Sequence, residues 1–167
     1  MNSDSICTSS KPAGSEGTLG RRVLYPQSTA YVIEALGYLA SLPPGSSIKV
    51  RELAVALNLP EQYLAKVLSQ LVRKRFVTSV KGPTGGFSLA VDPKTVTLYR
   101  IMAATDSLTA LEDECVMGLR HCTSEAPCAF HHDWLRFKEQ VVLRAQKLTL
   151  AELSGIVMNK IKLTQQP

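Results

Sequence analysis

The 167-residue sequence predicts a mainly α-helical fold with one small β-hairpin. Three observations carry that prediction. From Ser28 onward, apolar residues recur at three- and four-residue spacing through most of the chain, the rhythm of helices that bury one face. Two short β-type runs, Phe76–Val80 and Phe87–Val91, flank a glycine-rich turn. A final long helical stripe begins only after a stretch crowded with cysteine and histidine. The composition, 45% hydrophobic and 20% charged, is that of a globular protein with a real core, and the length suits one domain, or one domain with an arm.

Residues 1–21 are rich in Ser, Gly, Thr and Pro without periodicity and are read as a disordered arm, with Cys7 incidental within it. The opening residues have neither a basic n-region nor an apolar h-region, so no secretory signal is expected. No apolar run is long enough for a transmembrane helix. A cytoplasmic location follows as the expectation, and there clustered cysteines serve as metal ligands or catalytic groups more often than as disulfides.

A first helix fits Ser28 to Leu42 through Val32, Ala35, Leu36, Leu39 and Ala40, with Ser28 or Thr29 as N-cap. It stops at Pro43-Pro44-Gly45, which a helix cannot cross. A second fits Val50 to Leu57, closed by Asn58 in the left-handed conformation. After Leu59-Pro60 a third runs from Glu61 to about Lys74, with Leu64, Val67, Leu68 and Leu71 as its core stripe. A short helix, a tight turn and a longer helix make a helix-turn-helix, whose second helix enters the major groove of DNA. The opposite face of the third helix carries Gln62, Lys66, Ser69 and Arg73, bordered by Tyr63, Gln70 and Lys74. Such side chains donate to base edges and phosphates, and Gln suits adenine.

The two β runs follow, joined by Lys81-Gly82-Pro83-Thr84-Gly85-Gly86. The glycines permit positive φ and close backbone approach, and Lys81 places a charge at the hairpin base. A helix-turn-helix with such a hairpin is a winged helix, its wing lying along phosphates or in the minor groove. Charge supports the same reading. From Lys49 to Lys81 there are seven basic and two acidic residues, a surplus equal to the whole net charge of +5. That is the electrostatic footprint of a nucleic-acid-binding unit.

A short helix fits Leu98 to Ala104, and an acidic rim (Glu112, Asp113, Glu114) leads into Cys115-V-M-G-L-R-H-Cys122-T-S-E-A-P-Cys128-A-F-His131. Six residues separate the first two cysteines and five the next two. Structural zinc sites usually pair cysteines more tightly, whereas thiolates at wider gaps hold iron–sulfur clusters. The helix read from about Ala129 to Lys147 places Cys128 and His131 three apart on one face of its first turn, beside unpaired N–H groups that favour an anionic cluster. His121 and His132 are read as exposed. The stripe Trp134, Phe137 or Lys138, Val141, Ala145 and Leu148 suits a partner helix, hence a dimer on a near-palindromic operator. Thr149 caps a final helix, which fades after Lys162.

These residues resemble the bacterial regulators that include the iron–sulfur cluster regulator and the nitric-oxide-sensitive repressor. The resemblance covers roughly residues 23–155. It rests on Ser28-Thr29-Ala30-Tyr31, Glu61-Gln62-Tyr63-Leu64, the wing through Phe87, the three cysteines, Cys128-Ala129-Phe130-His131 leading to Trp134, and Thr149-Leu150-Ala151-Glu152-Leu153. It implies a homodimeric winged-helix transcription factor, a repressor rather than an enzyme, with Cys115, Cys122 and Cys128 as cluster ligands. His131 matches a fourth ligand, which favours a 2Fe–2S cluster over 4Fe–4S. The first cysteine gap is one residue longer than in the iron–sulfur cluster regulator. Ala30 stands where some relatives recruit an acidic ligand from the partner chain, so a carboxylate ligand there is excluded.

The expected organisation is an arm (1–21), a winged helix-turn-helix domain (22–106), a cysteine-rich cluster-binding loop (107–128), a dimerisation helix with a C-terminal helix (129–162) and a tail (163–167). The alternative function keeps the same winged-helix regulator with structural zinc or metal-free redox-active thiols. An enzyme with Cys128 as nucleophile and His131 as base lacks oxyanion-hole glycines and a third orienting group.

Overall fold

The computed structural model describes residues 26–82, 85–105, 107–113 and 115–164. The predicted arm with Cys7, Pro83 and Thr84 of the wing, the side chains of the acidic rim and residues 165–167 lie outside the described residues.

The first helix, α1 (Gln27–Ser41), starts one residue before the expected start, and neither Ser28 nor Thr29 caps it. Pro26 occupies the N-cap, where a missing N–H is harmless, and its carbonyl accepts from Thr29. Leu42 is extended, as the residue before a proline must be. Helix α2 (Val50–Leu57) ends at Asn58 with φ 51°, the left-handed cap that the sequence predicts. Helix α3 (Glu61–Arg73) follows Pro60. It ends at an unpredicted left-handed residue, Arg75 (φ 60°), after which Phe76 turns inward as the first core residue beyond α3.

Strands β1 (Val77–Val80) and β2 (Gly86–Leu89) pair antiparallel with Val77 opposite Leu89 and Val80 opposite Gly86. A third segment joins them. Ile48 bridges Phe87 through two backbone bonds of 2.8 and 3.0 Å, tying the wing to the entry of α2. The sequence does not announce this one-residue strand, because a single bridge has no alternation to read.

Helix α4 (Leu98–Ala104) matches the prediction, with Thr97 as its cap. The first seven residues of the expected cysteine loop are instead a helix, α5 (Ser107–Asp113). The long helix α6 (His131–Lys147) begins two residues later than expected. Helix α7 (Leu150–Thr164) extends beyond Lys162 into what the sequence suggested was tail.

One core joins α1, α2, α3, β1, α4 and α7: Leu36, Leu53, Leu64, Leu68, Leu71, Val77, Val96, Ile101 and Leu150 are essentially solvent-free. Each such side chain contributes about 1.5–3 kcal/mol of transfer free energy. Helix α7 packs back along α1 so closely that a Cβ on Gly37 would sit 2.8 Å from Val157 Cγ2. A second, smaller core of Met102, Leu111 and Ala145 seats α6 on α4 and α5.

Candidate DNA-binding surface and metal centre

Two surfaces carry chemistry, and the folding of α3 explains the first. Its buried stripe (Leu64, Val67, Leu68, Leu71) locks it onto α1 and α2, which leaves Gln62, Lys66, Ser69, Gln70 and Arg73 exposed along the opposite face. Ser69 Oγ donates to the Ala65 carbonyl at 2.8 Å. Tyr63 is 37% exposed and meets Tyr31 of α1 edge-to-face with ring centroids 5.1 Å apart, so its ring props the start of the helix while its edge stays accessible. Lys74 departs from this array. Its ammonium donates to the carbonyl of Ala104 at the end of α4, although the residue is exposed.

In the wing, Lys81 and Gly82 are exposed, and Gly82 has φ 114°, which only glycine adopts readily. At Gly85 a Cβ would lie 2.4 Å from the Val80 carbonyl oxygen. The backbone on either side of the wing tip thus turns tightly.

The second surface is built by the segment between α5 and α6. Two turns fold it back on itself: Gly118 N–H donates to the Cys115 carbonyl in one, and Thr123 and Ala126 bond each other in the other. These turns bring Cys115, Cys122 and Cys128 together, with all three sulfurs within 4.8 Å of one another. Cys115 Sγ and Cys128 Sγ are 3.7 Å apart, and both residues are half-buried. Cys122 is buried, with its sulfur 3.2 Å from His131 Nδ1.

His131 is 3% exposed, and its other ring nitrogen, Nε2, is buried without a hydrogen-bond partner. Buried ring nitrogens are ordinarily paired, so this one marks a place where a partner is missing. The late start of α6 changes the geometry expected around it. Cys128 precedes the helix rather than sharing its first turn, and its carbonyl accepts the N–H of His131. His121 and His132 are exposed, as the sequence suggests.

The thiols are electrostatically unequal. At Cys115 burial opposes ionisation, but backbone N–H groups of Leu119 and Met117 and the two neighbouring thiols bond its sulfur and together hold it below the ordinary thiol value. At Cys122 burial dominates and pushes the thiol up to about 11; the Cys128 N–H counters part of this, while hydrogen bonds with the other two thiols and, least, the charge on Cys115 reinforce it. Of these two, Cys115 therefore ionises first and the buried Cys122 later. A cation among the cysteines would override that difference, since metal ligation deprotonates a thiol outright. N–H groups aimed at a sulfur also stabilise it as a thiolate ligand.

The Rrf2 family model, described as iron-dependent transcriptional regulator, matches residues 25–155. A protein of Aquifex aeolicus described as an HTH-type transcriptional regulator is 34% identical over 136 residues, spanning 80% of this chain and 93% of that protein. Among solved structures the chain resembles CymR, the global cysteine regulator of B. subtilis, with TM-score 0.62, 22% identity and coverage of 78% of this chain and 95% of that one. It also resembles T. potens IscR, with TM-score 0.60, 20% identity and coverage of 90% and 96%. At these identities the two structures speak for the fold. Among the described residues no helix is long and apolar enough to cross a membrane.

Proposed function

The chain belongs to the Rrf2 family of transcriptional regulators, and on that premise we propose that it is a homodimeric DNA-binding repressor whose operator affinity is set by an iron–sulfur cluster on Cys115, Cys122, Cys128 and His131. The observation that carries the cluster reading is the convergence of three sulfurs within 4.8 Å of one another, with Nδ1 of the buried His131 3.2 Å from the Cys122 sulfur. The donor set fits: soft thiolates with one imidazole suit an iron–sulfur centre. A 2Fe–2S cluster uses all four residues, whereas a 4Fe–4S cluster would take the three cysteines and an outside ligand. When bound, the cluster supplies iron open to oxidation, nitrosylation or loss.

The chain's own residues do the rest. Gln62, Tyr63, Lys66, Ser69, Gln70 and Arg73 present donors to the major groove, and the wing from Lys81 to Gly86 lies against the backbone. The cysteines and His131 brace the segment between α5 and α6, so that its order depends on what they hold. A difference of a few kcal/mol between two dimer arrangements is enough to change operator affinity.

A second reading keeps the regulator and replaces the cluster with zinc or with redox-active thiols. The 3.7 Å contact between Cys115 and Cys128 favours it. Protein purified without oxygen separates the two by its visible spectrum and its iron and sulfide content. A coloured protein with about two irons per chain supports the 2Fe–2S reading, and about four irons the 4Fe–4S reading. Colourless protein holding zinc or no metal refutes both. Replacing Cys122 by Ala is expected to abolish the chromophore and change operator affinity by about tenfold, a typical coupling between sites. Unchanged affinity in that variant would separate the cluster from DNA control.

A further inference from the structure

We infer that the turn between α4 and α5 is the element that transmits the state of the cysteine segment to the recognition helix, with Ser107, Thr29 and Lys74 as its positioning residues. The inference rests on the cluster-control reading above. Ser107 opens α5, eight positions before Cys115. It is fully buried, and its hydroxyl lies 2.5 Å from that of Thr29, itself fully buried in the first turn of α1. On its other side the Ser107 hydroxyl lies 2.9 Å from Thr105 Oγ1, which is 3.1 Å from the carbonyls of both Ile101 and Met102 in α4.

Apolar side chains of the same size would fill this space without any polar cost. Buried hydroxyls persist where they satisfy one another, and they do so in one geometry.

The same turn is gripped from the DNA-binding side. Lys74, at the C-cap of α3, donates to the carbonyl of Ala104, the last residue of α4. One turn earlier on α4, the guanidinium of Arg100 stands over the ring of Phe76, 5.6 Å from its centroid, just beyond the end of α3. The start of α1, the end of α3 and the start of the segment leading to Cys115 therefore meet at a single turn. A displacement of α5 that parts Ser107 from Thr29 would strand the buried Thr29 hydroxyl and leave Ser107 only its contact with Thr105. The junction thus favours all bonds made or all bonds broken, which is the bistability a switch needs.

This assigns Lys74 a different task from its neighbours on α3. As a phosphate contact its loss would weaken DNA binding equally in both states. As a strap its loss changes the difference between states. The test uses the full chain purified without oxygen, as wild type, Ser107→Ala, Lys74→Met and Thr29→Ser, with iron content and visible spectrum recorded for each. Affinities of cluster-loaded and cluster-depleted protein are then measured by fluorescence anisotropy on a DNA fragment that the wild type selects from a random pool.

The wild-type forms are expected to differ by about tenfold or more, that ratio to fall to about unity in Ser107→Ala and by about threefold in Lys74→Met, and the spectra to stay unchanged. Thr29→Ser retains the hydroxyl and keeps the wild-type ratio. A wild-type ratio in both Ser107→Ala and Lys74→Met overturns the coupling assignment and leaves cluster control standing. A wild type without chromophore, or with equal affinities in both forms, overturns cluster control and the coupling together. Lys74 is exposed, so should Ser107→Ala not fold, Lys74→Met alone decides: an unchanged ratio overturns the assignment.

Discussion

Gly86 and Gly45 show how differently two glycines constrain the backbone. Gly45 has φ 79° with open space around it, so a side chain there meets only the torsional penalty of the left-handed region. Gly86 pairs with Val80, and a Cβ on it would stand 2.4 Å from the Ile48 carbonyl oxygen, inside the bridge that anchors the wing. Gly45→Ala is expected to cost about 1 kcal/mol, and Gly86→Ala about 1–3 kcal/mol through backbone overpacking. Equal losses in chemical denaturation would mean that the wing yields freely. The cysteines show the limit of residue-level reading. Their spacing marks Cys115, Cys122 and Cys128 as candidate ligands, but only the fold shows that Cys122 is the buried one, against His131.

Helix α3 is amphipathic in the sequence and amphipathic in the structure, and this is the element whose function is most legible. Its polar face is short of acids, so each cation on it that meets a phosphate releases a counterion. Removing Lys66 or Arg73 is expected to reduce the slope of log affinity against log salt by about one unit each. A slope unchanged in both variants would move the DNA surface elsewhere.

Helix α7 begins with a capping box: the Thr149 N–H and hydroxyl both reach Glu152 Oε2 at 2.8 Å, and Glu152 N–H returns a bond to Thr149 Oγ1. Those bonds from the Thr149 backbone and side chain lower the Glu152 carboxyl below its ordinary value. A depressed carboxyl contributes stability that is present above its unfolded pKa and is lost as pH falls through the folded one. Glu152→Gln should therefore lie below wild type in melting temperature at neutral pH and converge with it in acid. A constant gap across that range would mean the cap does not depend on charge.

For the whole molecule, what matters is which helix finds its partner within the chain. Helix α7 spends its apolar face on α1, where Gly37 admits Val157 and the half-buried Glu34 faces Lys160. Burial holds the Glu34 carboxyl above its usual value, and Lys160 opposes that. Helix α6 buries only His131, Lys138 and Ala145 and leaves Phe137 and Leu143 close to half exposed. The apolar stripe expected along α6 is thus divided. Trp134 and Lys138 turn inward, with the ammonium 5.6 Å from the Trp134 ring centroid, while Phe137 stacks on the outer side of Trp134. Two exposed apolar side chains on a long helix, Phe137 and Leu143, support dimerisation through α6. Leu143→Glu is expected to raise the dimer dissociation constant by about tenfold or more, since a buried charge at an interface is strongly unfavourable. Sedimentation equilibrium checks this, and an unchanged dimer would place the interface on another face.

Local chemistry by itself determined the order and type of most elements. Pro43-Pro44 and Pro60 bound helices because proline removes a donor, Asn58 caps because it tolerates the left-handed region, and the glycines of the wing permit a tight reversal. These effects act within a few residues, so they can be read from the chain. Tertiary packing decided the rest. The Ile48 bridge, the helix over Ser107–Asp113, the return of α7 onto α1 and the meeting of Thr29 with Ser107 join residues far apart or too few to leave a periodicity. The same holds for the orphaned Nε2 of His131, because whether a ring nitrogen is buried without a partner depends on every element packed around it.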